Sequence, residues 1–265
     1  ASRCGMTVRQ FNDFVWMCRS DEAKWEELAA STEHEKPAGV VNCYQINDAF
    51  VKPFTRGTGC GVALLLNPER PREAEVMLSH TWAEDIFEVL DAIEDLAVAS
   101  DKGFDLVIWF CLFSIYQPED EAGPSIAEQL ALDPFGSVIR SPATLYMCLL
   151  VTSTQDPYER LWCVYELAVA LDVIGKDRIK VEFSHKAYNL YRLQICEWSQ
   201  AQIAELGFTH EEWQATRRHL RPEYLYYRHA LDCKRATCSR PEDEEVIREY
   251  VMRLGGWDEI NKRVA

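Results

Sequence analysis

Several familiar chemical signatures are missing from this chain. It has no Cys-x-x-Cys pair and no His-Glu-x-x-His string, so the common zinc centres have no ligand set to begin from. No glycine-rich stretch ends in Gly-Lys-Ser/Thr, which removes the phosphate loop of nucleotide hydrolases. No apolar run reaches the ~20 residues that a membrane-spanning helix needs. The N-terminal ASRCGMTVRQ lacks the basic-then-apolar layout of a signal peptide, and the expectation is a cytoplasmic protein. Basic residues are in deficit, 28 against 43 acidic ones, for a formal charge of −15. A field of that sign repels phosphate backbones and anionic lipid, which disfavours nucleic acid and membranes as partners. The nearest thing to a basic patch, Arg217, Arg218 and Arg221, reads as an exposed helix face. Tracts biased enough to argue for disorder are also lacking.

What is present is enough for a large core: 265 residues, 48% hydrophobic, with eight Trp, eleven Tyr and eleven Phe. Ten cysteines are scattered, several inside apolar runs such as VIWFCLF, LYMCLLV and LWCVYEL, where they read as buried free thiols. Residues 1–72 form an N-terminal extension of mixed signals. Ser20 before DEAKWEELAA reads as a helix start. Gly57, Gly59 and Gly61 precede the run Val62–Leu66 and read as a turn into a strand. A dinucleotide fingerprint has the opposite order, with its glycines after a strand and before a helix.

From Glu73 the pattern becomes regular. AEVMLSH and FDLVIWFCLF read as buried strands, and SPATLYMCLLVTS and RIKVEFS as a third and a fourth strand. AEDIFEVLDAIEDLAVA, SIAEQLA and DPYERLWCVYELAVALDVIG read as helices, the last closing at Gly175, with SIYQPEDEAGPS as a loop. Such alternation predicts an α/β fold, a parallel sheet with helices on both faces over residues 73–183. Residues 184–265 read as a helical C-terminal region with capping boxes at Thr209/Glu212 and Ser239/Glu242.

Two strings carry a family likeness. VMLSHTW follows the first regular strand, and ERLWCVYEL opens the helix after the third. Together they resemble a TIR (Toll/interleukin receptor) domain, whose later helix bears Trp-Cys-x-x-Glu-Leu. GTGCGVALL and SRPED are also similar to stretches in proteins of photosynthetic protists. The resemblance implies a flavodoxin-like sheet and one of two roles. Some members cleave NAD⁺ between nicotinamide and ribose, in signalling or defence, through the glutamate of this helix; others only assemble with one another or with protein partners. Glu166 stands at the enzyme glutamate's position and Trp162 at the tryptophan four residues earlier. NAD⁺ or a related nucleotide would be the substrate, with no metal or separate cofactor implied. This sequence departs from the pattern in two places. Thr81 and Trp82 follow His80 where enzymatic members often have arginine, and no fifth strand is legible after residue 184.

The residues themselves allow that chemistry. Trp162 and Glu166 are four apart on a helix and share a face, so an indole offers a stacking surface beside an anion. Breaking the nicotinamide–ribose bond develops positive charge on the sugar, which a fixed carboxylate stabilises. Ser79, His80 and Trp82, at a strand's carboxyl end, would line the same pocket; Thr152 and Ser153 also sit at such an end. Gln117, on a loop over 114–124, would offer hydrogen bonds, whereas Asp120 and Glu121 there would repel a pyrophosphate. The competing expectation is architectural: Glu166 as a strut paired with Arg140 or Arg160, and the whole as an interaction module or a nucleotide-binding sensor.

Overall fold

The computed structural model describes residues 1–32, 37, 39–118, 120–195, 200–205, 209, 211, 233–238 and 241–264. Its main elements are β1 (Met6–Thr7), α1 (Val8–Ser20), α2 (Glu22–Ala30), β2 (Val76–Ser79), α3 (Ile86–Val98), β3 (Val107–Trp109), α4 (Ile126–Ala131), α5 (Pro134–Ile139), β4 (Tyr146–Val151), α6 (Leu161–Val173), β5 (Ile179–Phe183), α7 (His185–Ile195), α8 (Gln200–Glu205), α9 (Pro241–Arg253) and α10 (Trp257–Val264). The arginine trio and both capping boxes of the C-terminal region involve residues outside the described ones.

The strands form one sheet in the order β1-β3-β2-β4-β5. β2 pairs in parallel with β3 (Val76↔Ile108) and with β4 (Ser79↔Leu149), and β4 pairs in parallel with β5. The fold is therefore mixed α/β with a mostly parallel sheet, as the alternation predicts. Strand periodicity divides the core. Val76, Leu78, Ile108, Phe110, Cys148 and Leu150 point to one face, against α1 and α3. Met77, Trp109 and Met147 point to the other, against α5 and α6.

Four sequence expectations are corrected. β1 adds a fifth strand where none was expected: it pairs antiparallel with β3 (Met6↔Ile108), at the sheet edge opposite β5. The run Val62–Leu66 is not a strand but a helical turn, Val62–Leu65, in which the amides of Leu64 and Leu65 bond back to the Gly61 carbonyl. The Asn67 side chain closes it by donating to the Ala63 carbonyl. A five-residue apolar run is too short for its period to separate strand from helix. FDLVIWFCLF is a strand only over Val107–Trp109, and Cys111–Ser114 turns into a helical turn. Asp21, not Ser20, caps α2, its carboxylate accepting from the Lys24 amide; Ser20 ends α1. Either residue type serves as an N-cap, so the local sequence does not separate them.

The glycine cluster has a packing role. Gly57 and Gly59 have positive φ. The Gly57 amide donates to Asp120, and a side chain at Gly59 would collide with the Ala122 carbonyl. The loop after β3 is thus held down on this turn. Asp120, which also accepts from the Tyr116 hydroxyl and the Ala122 amide, is occupied as its anchor.

α6 is apolar all round because it is covered on both sides. Leu167, Val169, Ala170 and Leu171 belong to the core under the sheet. Leu161, Val164 and Ala168 pack against Cys233, Ala236, Ile247, Val251 and Ile260 of the C-terminal region. Thr237 extends that contact to the backbone at the start of α6, accepting from Leu161 N–H and donating to the Glu159 carbonyl.

Candidate functional site

A cavity of about 350 Å³ opens at the carboxyl ends of β2 and β3. This volume lies in the ~300–1,000 Å³ range of small-ligand sites. β2 is the strand from which the chain order diverges, with β3 on one side and β4 on the other, and α/β sheets bind ligands at such a place. Five of the six residues predicted for the site line this cavity: His80 and Trp82 after β2, Gln117 on the loop after β3, and Trp162 and Glu166 on α6. Ser79 lies just behind, fully buried at the end of β2. Thr152 and Ser153 are elsewhere: Ser153 bonds Glu88 on the α3 side of the sheet.

The arginine strut proposed for Glu166 is absent. Arg140 pairs with Asp133 at 2.6 Å, and Arg160 lies in the cavity wall with its guanidinium 3.4 Å from the Tyr44 hydroxyl. Glu166 is 5% exposed, and its Oε2 is buried with no hydrogen-bond partner among the described residues. Burial pushes its carboxyl up to about 8, against the pull of the Ser79 hydroxyl and the His80 ring. Ser79 Oγ lies toward the carboxyl without a hydrogen bond of normal geometry. A carboxyl in this state is a neutral acid at pH 7 and becomes an anion when a cation is placed beside it.

The Trp-Cys-x-x-Glu spacing has a structural reading. Cys163 is buried and donates from Sγ to the His80 carbonyl at 3.3 Å, which ties α6 to the end of β2. Trp162 then faces the cavity, tilted against Phe135 with centroids 5.1 Å apart. Glu166 follows one helical turn further along the same face. Tyr165 is not a core residue of the sheet. Its hydroxyl donates to Asp133 at 2.9 Å and its ring packs edge-on against Tyr250 of α9.

His80 is held on all sides. Its ring stacks on Phe110 with centroids 4.0 Å apart. Nδ1 lies 3.0 Å from the Thr81 carbonyl and 3.7 Å from Glu84, and Nε2 lies 3.2 Å from Cys111 Sγ. Burial opposes charge on this imidazole. The adjacent Cys111, Cys43 and Glu84 outweigh it and hold His80 well above the ordinary imidazole range. Burial raises the Glu84 carboxyl.

Sequence reasoning missed three wall residues. Tyr44 comes from a helical turn (Cys43–Ile46) in the N-terminal extension, Cys111 from the end of an apolar run, and Arg160 from the residue before α6. Only Arg160 left a signal, as a cation placed directly ahead of the tryptophan–glutamate helix. Ile115, Ile126, Leu130 and Phe135 supply an apolar part of the wall, and Thr81, Cys163 and Asp243 complete the lining. Among the described residues no cluster of three or more His, Cys, Asp or Glu side chains forms a metal site. No described helix is long and apolar enough to cross a membrane. In comparisons with known proteins the chain matches no family model, no curated protein and no solved structure.

Proposed function

We propose that this protein is a TIR-like NAD⁺ nucleosidase, which hydrolyses the bond between nicotinamide and ribose. One observation carries the reading. Glu166 lines the cavity beside Trp162, and its carboxyl has a buried oxygen unclaimed by any described protein group. A buried acid without a partner costs several kcal/mol in its charged form, roughly, and such a cost is retained where a ligand supplies the counter-charge. The nicotinamide ring of NAD⁺ is a cation of the right shape for an aromatic wall. The strand order β3-β2-β4-β5 is that of the first four strands of a flavodoxin-like sheet, which supports the finer fold assignment.

In this mechanism the nicotinamide lies against the cavity face of Trp162, beside Glu166, and its charge draws the Glu166 proton off to solvent. Arg160 takes the phosphates at the mouth, and Gln117, His80 and Trp82 bound the ribose side. The C–N bond breaks with its electron pair leaving on nicotinamide, and positive charge appears on the sugar carbon. The Glu166 carboxylate stabilises that charge more than it stabilises the ground state. Water then adds to the carbon and releases a proton, giving ADP-ribose. Nicotinamide release is to be followed for purified protein with NAD⁺, beside Glu166→Ala. A loss of at least about a thousandfold is expected; equal, background-level release from both proteins sinks the proposal. Calorimetric binding of NAD⁺ without turnover would favour a nucleotide sensor instead, and concentration-dependent light scattering with neither binding nor turnover an assembly module.

A further inference from the structure

The cavity wall holds a second reactive group that the nucleosidase chemistry does not use. Cys111 is partly exposed to the cavity, and two nitrogens converge on its sulfur: His80 Nε2 at 3.2 Å and Trp82 Nε1 at 3.1 Å. The tautomer follows from the other side of the ring. Nδ1 faces the Thr81 carbonyl oxygen at 3.0 Å and a Glu84 oxygen at 3.7 Å, both acceptors, so Nδ1 carries a hydrogen. That leaves Nε2 as the position to which the thiol proton moves. The indole N–H is a donor only, so its approach to the sulfur favours the anion. The Thr81 carbonyl orients the imidazole, while Glu84, fully buried, places an oxygen 3.7 Å from Nδ1, outside hydrogen-bond reach. Thiol and imidazole thus stand as a nucleophile beside its base. Ile115, Ile126, Leu130 and Phe135 give the same cavity an apolar portion of wall.

We infer that His80 serves as the base for the Cys111 thiol, and that Cys111 is a site of covalent modification for small, largely apolar carbon electrophiles of the haloacetamide or enone class. With iodoacetamide the balance is simple. The thiol proton moves to His80 Nε2, the sulfur lone pair forms the S–C bond, and the C–I bond breaks with iodide taking its electrons.

The test uses the full-length wild-type chain without nucleotide, so its outcome is independent of whether NAD⁺ is cleaved. Limiting iodoacetamide at pH 6.5 is followed by peptide mass spectrometry, with Cys60, a partly exposed thiol beside the glycine turn, as internal reference. Cys111 is expected to be alkylated at least ten times faster than Cys60. Equal or slower labelling of Cys111 overturns the inference, and because both rates come from one folded sample that comparison requires no variant. His80→Asn, checked for native circular dichroism, is expected to bring Cys111 to the Cys60 rate while leaving Cys60 unchanged. Trp82→Phe, which keeps the ring and removes the donor, is expected to slow Cys111 several-fold. Unaltered Cys111 rates in both variants would also overturn the inference.

Discussion

Two buried glutamates lie on opposite faces of the sheet, one on α3 and one on α6, and they are treated in opposite ways. Glu88 is fully engaged. It accepts from the Ser153 amide at 2.6 Å, from the Ser153 and Ser184 hydroxyls, and from Lys186 at 3.1 Å. Burial works against its charge, but these donors prevail and its carboxyl titrates below the usual range. Through them it pins the ends of β4 and β5 to α3. Glu166 has a similar exposure and no such donors among the described residues. The protein therefore has the means to satisfy a buried carboxylate and does not apply them to Glu166. What separates the two carboxyls here is the set of donors, not the depth of burial.

That contrast can be tested from four sides. The largest expected change is at the strut: Glu88→Ala leaves the Lys186 ammonium and three donors without their acceptor and should cost about 3 kcal/mol. Calorimetry would record a fall in Tm of roughly 6–10 °C. An unchanged Tm would mean that Glu88 is no strut. Next is the pH dependence of the proposed reaction. Since the Glu166 carboxyl in the empty cavity is raised to about 8, kcat/KM should climb about tenfold per pH unit from 6 towards 8 and then level. A profile flat over that interval removes Glu166 as the group that must ionise.

A smaller effect of opposite sign to that of Glu88→Ala concerns stability. Between an unfolded value near 4.3 and the folded value of about 8, the folded chain holds a proton on Glu166 that the unfolded chain has released. Its contribution therefore declines as pH rises through that window. Glu166→Gln should be more stable than the wild type at pH 8, by on the order of 2 kcal/mol, with the gap closing towards pH 4.5. Paired urea titrations at the two pH values measure this, and a variant less stable at pH 8 would contradict it. The smallest effect is again at Glu88, whose lowered pKa gives the reverse sign. Stability from this group is present above the unfolded value and lost as pH falls through the folded one. Acid unfolding of Glu88→Gln should lack part of the wild type's slope below pH 4.5.

Much of this arrangement was legible in the sequence because period and spacing carry it. β2, β3 and β4 are apolar runs, β5 alternates apolar with charged residues, α3 repeats its apolar residues at helical intervals, and Trp162 and Glu166 are one turn apart. What remained hidden depends on long-range contact. A two-residue strand such as Met6–Thr7 has no period, and only its partner β3 makes it a strand. α1 does repeat apolar residues at Val8, Phe11, Phe14, Val15 and Cys18, but the mixed signals around it obscured that pattern. Cys111 sits in an apolar run and reads as core; three-dimensional folding sets it between two nitrogen donors. The partner of Glu166 could not be read either, because which arginine reaches a carboxylate is decided by the packing of α5 against α6. There, Asp133 engages Arg140.

The covering of α6 on both sides has a consequence for how the cleft is kept in shape. The helix that bears the acid is clamped between two layers laid down far apart along the polypeptide, so its register is fixed only after both have arrived. Residues 73–183 alone would leave Leu161, Val164 and Ala168 wet, and would take away Asp243, which α9 contributes to the rim. The last third of the chain thus supports, from behind, the helix that carries Glu166.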